Sequence, residues 1–378
     1  MMTKRRILSG ILLAVCLAAA GWGIFALVRG GGSEPQAAEG TPTPDTAGNS
    51  TETPTPGTTG NATEAPTPGA AAGTATVTPD TPTPGGQKTG RTKPEGEFPV
   101  TRVSNVPRAN EGELKVTWLG HSSVLVQMGE INILFDPVYS ERAGVLGVGP
   151  KRFSEAPMRA EDTPPIDILY LSHDHYDHLD YDTVMAIDDR VSCYVVPNGM
   201  EEILTGWGIA SAKIHPMAPW EETVIAGIRI ALTPAQHSGG RGLGKSTLCS
   251  GIFLSDGAHT LYYTGDGGYG AHFAKIGESF GPVDLLLVES GQYNESWATV
   301  HMMPEQSMQV ALDVKAAWTI PIHWGTFVLA MHDWDEPPKR DTELAAKMGI
   351  SLATPRIGQT VDYREIANFT EKWWETVK

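Results

Sequence analysis

The sequence predicts an α/β fold, and three observations carry that expectation. From about Phe98 onward, short apolar runs alternate with stretches of helical period. Several of those runs end on a histidine or an aspartate. Composition shifts set this region, 98–378, apart from two N-terminal segments, 1–30 and 31–97. Roughly 280 residues are enough to bury one large core. Strands rich in β-branched residues and interleaved with helices suit a two-sheet sandwich covered by helices, although periodicity alone does not choose it over another α/β layout.

The elements follow in order. Strands are expected at Leu114–Leu119, Ser123–Met128, Ile131–Phe135, Asp167–Ser172, Cys193–Val196, Thr223–Leu232, Cys249–Leu254, Thr260–Thr264, Val283–Glu289 and Trp318–Ile322. Helices are expected at Tyr181–Ile187, Met200–Trp207, Phe273–Phe280, Pro304–Lys315, Thr342–Met348 and Ile366–Trp374. In the last of these, Trp373 and Trp374 either face lipid or pack into the core.

Segment 1–30 carries Lys4-Arg5-Arg6 ahead of an apolar run from Ile7 to Val28. As a helix that run spans roughly 33 Å, enough to cross a bilayer. The preceding basic residues put the N-terminus in the cytoplasm, which makes region 98–378 extracytoplasmic and membrane-anchored. The alternative is a secreted protein, with a signal peptide cleaved near Ala18-Ala19-Ala20. Lipid attachment at Cys16 is a third option, which Val15 fits poorly. Segment 31–97 repeats Thr-Pro pairs, as in Thr41-Pro42-Thr43-Pro44 and Thr81-Pro82-Thr83-Pro84. It holds too little apolar surface to offset the entropy of ordering, so an extended stalk is expected.

The net charge is −16. An acidic surface repels phosphate backbones, which argues against nucleic acid as a partner. There are three cysteines. Cys193 and Cys249 read as buried thiols, and export would permit a disulfide between them.

The chemistry concentrates in His173-Asp174-His175-Tyr176-Asp177-His178, just after an apolar run. In this H-x-H-x-D-H form, one pair of histidines can grip one ion and the following Asp-His pair a second. Imidazole and carboxylate without thiolate suit zinc. Three further candidates close strand-like runs: His237, Asp266 and His323. Strand ends converge at one rim, so these residues can meet there. The expected division gives His173, His175 and His237 to one Zn2+, and Asp177, His178 and His323 to the other, with Asp266 between the two ions. Two such ions share and activate a hydroxide.

These motifs resemble the metallo-β-lactamase superfamily. Trp118-Leu119-Gly120-His121-Ser122-Ser123, Phe135-Asp136-Pro137, Gly149-Pro150-Lys151-Arg152-Phe153, Pro234-Ala235-Gln236-His237, Thr264-Gly265-Asp266-Gly267-Gly268-Tyr269, His301-Met302-Met303-Pro304-Glu305 and Ile322-His323-Trp324-Gly325-Thr326-Phe327 follow in chain order. They narrow the resemblance to the branch of N-acyl-phosphatidylethanolamine-hydrolysing phospholipase D and its bacterial relatives. The resemblance implies an αββα sandwich with a dimetal site at one edge. It also implies hydrolysis of a phosphodiester, with a phospholipid or another small phosphodiester as substrate. Asp136 would orient a ligand histidine. His301 would lie near the leaving group or the substrate phosphate, or else merely open a helix. His121 would face the site or be hydrogen-bonded beneath it. Asp177 would hold the proton of the attacking hydroxide.

The same metal site could attack a carbonyl ester, which makes a lactonase the alternative. A non-catalytic, surface-displayed binding module is the second alternative. The segment Ser238–Lys245 departs from the branch, reading as small and flexible beside the site. His332 either approaches substrate or sits in an exposed loop.

Overall fold

The computed structural model describes residues 90–241 and 247–378. The expected N-terminal helix and residues 31–89 of the expected stalk lie outside them. Among the described residues no helix is long and apolar enough to cross a membrane.

Two sheets face each other. The first is built from β1 (Leu114–Trp118), β2 (Val124–Met128), β3 (Ile131–Phe135), β4 (Ile166–Tyr170), β5 (Val191–Pro197), β6 (Ile214–Met217) and β13 (Thr360–Asp362), in the order β13-β1-β2-β3-β4-β5-β6. The second holds β7 (Glu222–Ile225), β8 (Ile228–Pro234), β9 (Ser250–Ser255), β10 (Thr260–Tyr263), β11 (Leu285–Glu289) and β12 (Trp318–Ile322), in the order β12-β11-β10-β9-β8-β7. Side chains alternate across each strand. Val124, Val126 and Met128 therefore enter the core between the sheets, while Leu125 points to the outer face. Leu285 and Leu287 do the same in the second sheet, with Leu286 and Val288 pointing outward.

Helices cover both outer faces. α1 (Tyr181–Ile187) and α2 (Glu201–Trp207) supply Val184, Ile187 and Leu204 to the layer over the first sheet. α3 (His272–Phe280), α4 (Pro304–Asp313) and α5 (Glu336–Met348) supply Ile276, Met308 and Ala345 to the layer over the second. The expected αββα layering is present.

Several expectations need correction. Thr223–Leu232 is a hairpin rather than one strand, because Ala226 (φ 51°) and Gly227 (φ 82°) form a turn of the primed kind. β6 was missed because Pro216 interrupts it, and an edge position tolerates that missing N–H. α5 starts ahead of Thr342, since Pro337 and Pro338 sit in its first turn, where their absent N–H groups cost nothing. Ile366–Trp374 is not a helix. Thr354 takes the carbonyls of Phe369 (2.6 Å) and Glu371 (3.0 Å), and only short 3-10 turns remain at Tyr363–Asn368 and Trp373–Thr376.

Trp373 and Trp374 are each 1% exposed, so they face the core and not lipid. Trp373 stacks on Trp324 at 5.5 Å, and Trp324 packs 5.0 Å from Trp118. Packed contacts begin ahead of Phe98: Arg91 pairs with Asp335 at 2.9 Å, and the amides of Glu95 and Gly96 donate to the carbonyl of Lys378. Cys193 and Cys249 are free thiols, and burial pushes both of their pKa values up.

Candidate metal centre

Every expected ligand leaves the end of a strand. β4 runs into the loop that carries His173, His175, Asp177 and His178. The loop turns tightly there, the amides of His178 and Leu179 both donating to the carbonyl of His175. His237 follows β8, Asp266 follows β10 and His323 follows β12. Gly265 (φ 62°) lets the Asp266 turn press against β9, where a Cβ would come within 2.5 Å of the Ser250 oxygen. His121 (φ 51°), Asp136 (φ 38°) and His323 (φ 69°) hold left-handed backbone, and all three lie at this rim. Such conformations persist where the surroundings over-determine them, and they cluster at functional sites.

The structure brings these side chains together. His173, His175 and His237 place ligand atoms within 4.8 Å of one another, as do Asp177, His178 and His323. Asp266 spans both sets: its Oδ2 lies 3.0 Å from His178 Nε2 and 3.9 Å from His173 Nε2, and its Oδ1 is 3.3 Å from His323 Nδ1. His121 joins the second set directly, its Nε2 lying 2.8 Å from Asp177 Oδ2. It faces the site rather than supporting it from beneath.

Four of the rings, those of His173, His178, His237 and His323, are held from behind. Asp136, wholly buried, binds His178 Nδ1 at 2.8 Å and accepts from the amide and the hydroxyl of Ser172. Tyr263 donates its hydroxyl to the same carboxylate at 2.5 Å. Ser172 Oγ lies 3.0 Å from His173 Nδ1, and Ser122 Oγ 2.8 Å from His323 Nδ1. The ring of His237 sets Nδ1 against the carbonyl of Val300 at 2.9 Å.

These partners leave Nε2 of His173, His178 and His323, and Oδ1 of Asp266, buried with no hydrogen-bond partner. An unmet buried polar atom costs about 1–3 kcal/mol, and here several aim at one small space. That is the pattern a metal ion satisfies, with the second ring nitrogen fixed by an oxygen. The donor set fits the group.

The charges agree. Burial, together with neighbouring imidazoles, holds His173 well below the usual histidine range. Burial also takes His237 down to about 3. Neutral rings keep the lone pair that ligation needs. Burial opposes charge on Asp266 and Asp177, yet the facing His178 ring holds both well below the carboxylate range. His178 is the exception: burial resists, but Asp266, Asp177 and Asp136 raise it well above the usual range, so an ion binding there would displace a proton.

His301 stands beside this cluster, its ring 5.0 Å from His237 and 5.5 Å from His323. Its Nδ1 lies 2.5 Å from Glu289 Oε1. Burial lowers its pKa, but Glu289 reverses that and raises it to about 9. Glu289 is a residue that sequence reasoning missed. It ends β11 as Asp266 follows β10, so the strand-end rule already applied to Asp266 points to it too.

His332 is no exposed loop residue. Its ring nitrogens lie 2.8 and 2.9 Å from the carbonyls of Gly291 and Asp333, and its ring stacks on Tyr293 at 4.3 Å. Nor is the start of Ser238–Lys245 slack. Gly240 donates to Asp174 Oδ1 at 2.7 Å. Arg241 donates to the carbonyls of Asp174 and Leu179 and lies over the Tyr176 ring. Residues 242–246 lie outside the described part.

Comparison with known proteins places this geometry. A family model described as a β-lactamase superfamily domain matches residues 131–324. An uncharacterized protein of Mycobacterium tuberculosis (strain ATCC 25618 / H37Rv) is 35% identical over 277 residues, 71% of this chain and 74% of the relative. The N-acyl-phosphatidylethanolamine-hydrolyzing phospholipase D 1 of Caenorhabditis elegans is 34% identical over 261 residues, 65% of this chain and 73% of the relative. Among solved structures, a metallo hydrolase from the archaeon Ignicoccus hospitalis KIN4/I superposes with a TM-score of 0.52 at 21% identity, covering 66% of this chain and 98% of that one. That likeness is one of fold.

Proposed function

Because the chain belongs to the metallo-β-lactamase superfamily and is a metal-dependent hydrolase of that fold, we propose that it is a dinuclear zinc phosphodiesterase of phospholipase D type acting on a phospholipid. The observation that carries this is the convergence of seven sequence-predicted side chains, four of which, His173, His178, His323 and Asp266, turn an unpartnered buried ligand atom into the cluster. The name of the Caenorhabditis elegans relative supports the substrate class.

His173, His175 and His237 would hold one ion, and Asp177, His178 and His323 the other, with Asp266 shared. When bound, such ions polarise a phosphoryl oxygen and lower the pKa of water toward about 7. Water oxygen attacks phosphorus, and the bond to the leaving alkoxide breaks. Asp177, fixed by His121, takes the proton of the attacking water. His301, kept cationic by Glu289, gives a proton to the leaving oxygen. Asp136, itself held by Tyr263, fixes the His178 ring, and Ser122 fixes the His323 ring. We also place the enzyme outside the cytoplasm, on the apolar run Ile7–Val28.

Metal analysis of the purified protein, alongside a hydrolysis screen of phosphodiesters, lactones and β-lactams, tests the reading. About two metal equivalents and preferred cleavage of the diesters are expected. Lactone cleavage without diester cleavage would assign a carbonyl-ester hydrolase instead. Full metal with no hydrolysis would leave a binding module.

A second expectation concerns Asp136. The Asp136→Asn protein should bind zinc about 10- to 100-fold more weakly, measured by competition with a chromophoric chelator. Wild-type affinity would remove the orienting role.

A further inference from the structure

Residues 138–153 form a ribbon that leaves the metal centre and returns to it. At its base the amide of Val138 donates to Ser123 Oγ at 3.0 Å, and the amide of Phe153 donates to the carbonyl of Thr326 at 2.9 Å. Val138, Ala143 and Phe327 pack together with Tyr176 and Leu329 against them. Phe327 sets its ring 5.2 Å from His121. The ribbon therefore rises from the rim of the site.

Its two strands pair at Arg142 with Lys151 and at Val145 with Val148. They lie so close that a Cβ on Gly149 would fall 2.1 Å from the carbonyl oxygen of Ala143. The tip is apolar and bare: Val145 is 49% exposed, Leu146 89% and Val148 49%. Leu146 holds φ 53° and Gly147 φ 74°. Turns of this kind take Asn or Asp before Gly, because a bulky side chain is strained at positive φ. A leucine there satisfies neither turn chemistry nor solubility. Tyr181 and Met331, which follow the segments carrying His178 and His323, are exposed as well.

The charge around the tip has the opposite sign to that of the chain. Arg142 and Lys151 stand against Glu141 alone, a balance of +1 in a protein of −16, while Arg152 is turned into the base of the ribbon over the Phe327 ring. Lys151 pairs with Glu141, whereas Arg142 donates to the carbonyl of Gly149.

We propose that this ribbon docks the enzyme on an anionic phospholipid bilayer, with Val145, Leu146 and Val148 entering the headgroup–acyl boundary and Arg142 and Lys151 lying at the phosphates. Apolar tips bordered by cations bind in this way. The choice of partner rests on the phospholipid reading above. Docking here sets the mouth of the metal centre against the layer that supplies substrate.

The test uses the full chain reconstituted in phosphatidylglycerol vesicles whose acyl chains carry bromine. Tryptophan is placed at the tip as Leu146→Trp, and on an exposed edge strand elsewhere as Val224→Trp. The emission added by the tip tryptophan, taken as the difference from the parent chain with its ten tryptophans, should be quenched at least about twofold more than that added by the control, because bromine quenches only within the bilayer. Equal quenching overturns the proposal. So does a blue shift of the tip variant that rises with protein concentration without lipid, which would mean that a second copy covers the tip.

Activity supplies an independent arm. Leu146→Asp should cut turnover of vesicle lipid about tenfold while leaving that of a soluble bis-aryl phosphodiester unchanged. An equal loss on both substrates would count against docking. Tip quenching without hydrolysis of any lipid would keep the docking surface and remove the phospholipase reading.

Discussion

Asp266→Asn should leave the protein with about half its metal or less and about one hundredth of its turnover or less. The reason is local charge. Asp266 is 3% exposed, and its two oxygens reach His178, His173 and His323 from one point. An amide of the same shape supplies one neutral oxygen and turns an N–H toward rings that already present nitrogen. Loss of an orienting partner alone costs about 10- to 100-fold, and removal of a shared ligand should reach the top of that range or pass it. Metal-to-protein ratio by mass spectrometry, read beside turnover, checks the outcome. Wild-type values for both would remove the proposed shared-ligand role of Asp266.

Chelation should lower the melting temperature by about 10 °C or more, and zinc should restore it. Without an ion, His173 Nε2, His178 Nε2, His323 Nε2 and Asp266 Oδ1 stay buried and unpartnered. An ion present at a thousand times its Kd adds about 4 kcal/mol to the folded state. In domains of this size each kcal/mol moves the transition by about 2–4 °C. Thermal unfolding followed by circular dichroism, with and without chelator, measures the shift. A change below about 3 °C would mean that these side chains evolved to hold no resident ion.

Much of the site was legible because its residues are local in the chain. His173 to His178 announce two ligand sets within six residues, and a strand ahead of them fixes where they emerge. His237, Asp266 and His323 were readable from one further rule, polar residues closing apolar strands. The same rule reaches Glu289, whose pairing with His301 gives that histidine its raised pKa. Ser122, Ser172 and Tyr263 carry no such mark. A serine or a tyrosine in a strand or its flank looks like any other until its partner is known.

The fold divides in a similar way. Tyr181–Ile187 and Trp318–Ile322 were placed to the residue, since period and flanking residues agree there. Ile366–Trp374 was not, because Thr354 claims two of its carbonyls from a separate segment. The Trp373-Trp374 pair shows the same limit: two adjacent tryptophans have one composition whether they meet lipid or the core.

Ligand chemistry, chain order and the α/β class are thus properties of residue type and spacing, which the linear chain carries whole. Ring orientation is not. Asp136 meets His178 across 42 residues and Tyr263 across 127, and those contacts leave Nε2 of His178 facing inward. Spacing along a chain can say which groups bind, but the direction a lone pair faces depends on contacts that exist only after distant segments have packed.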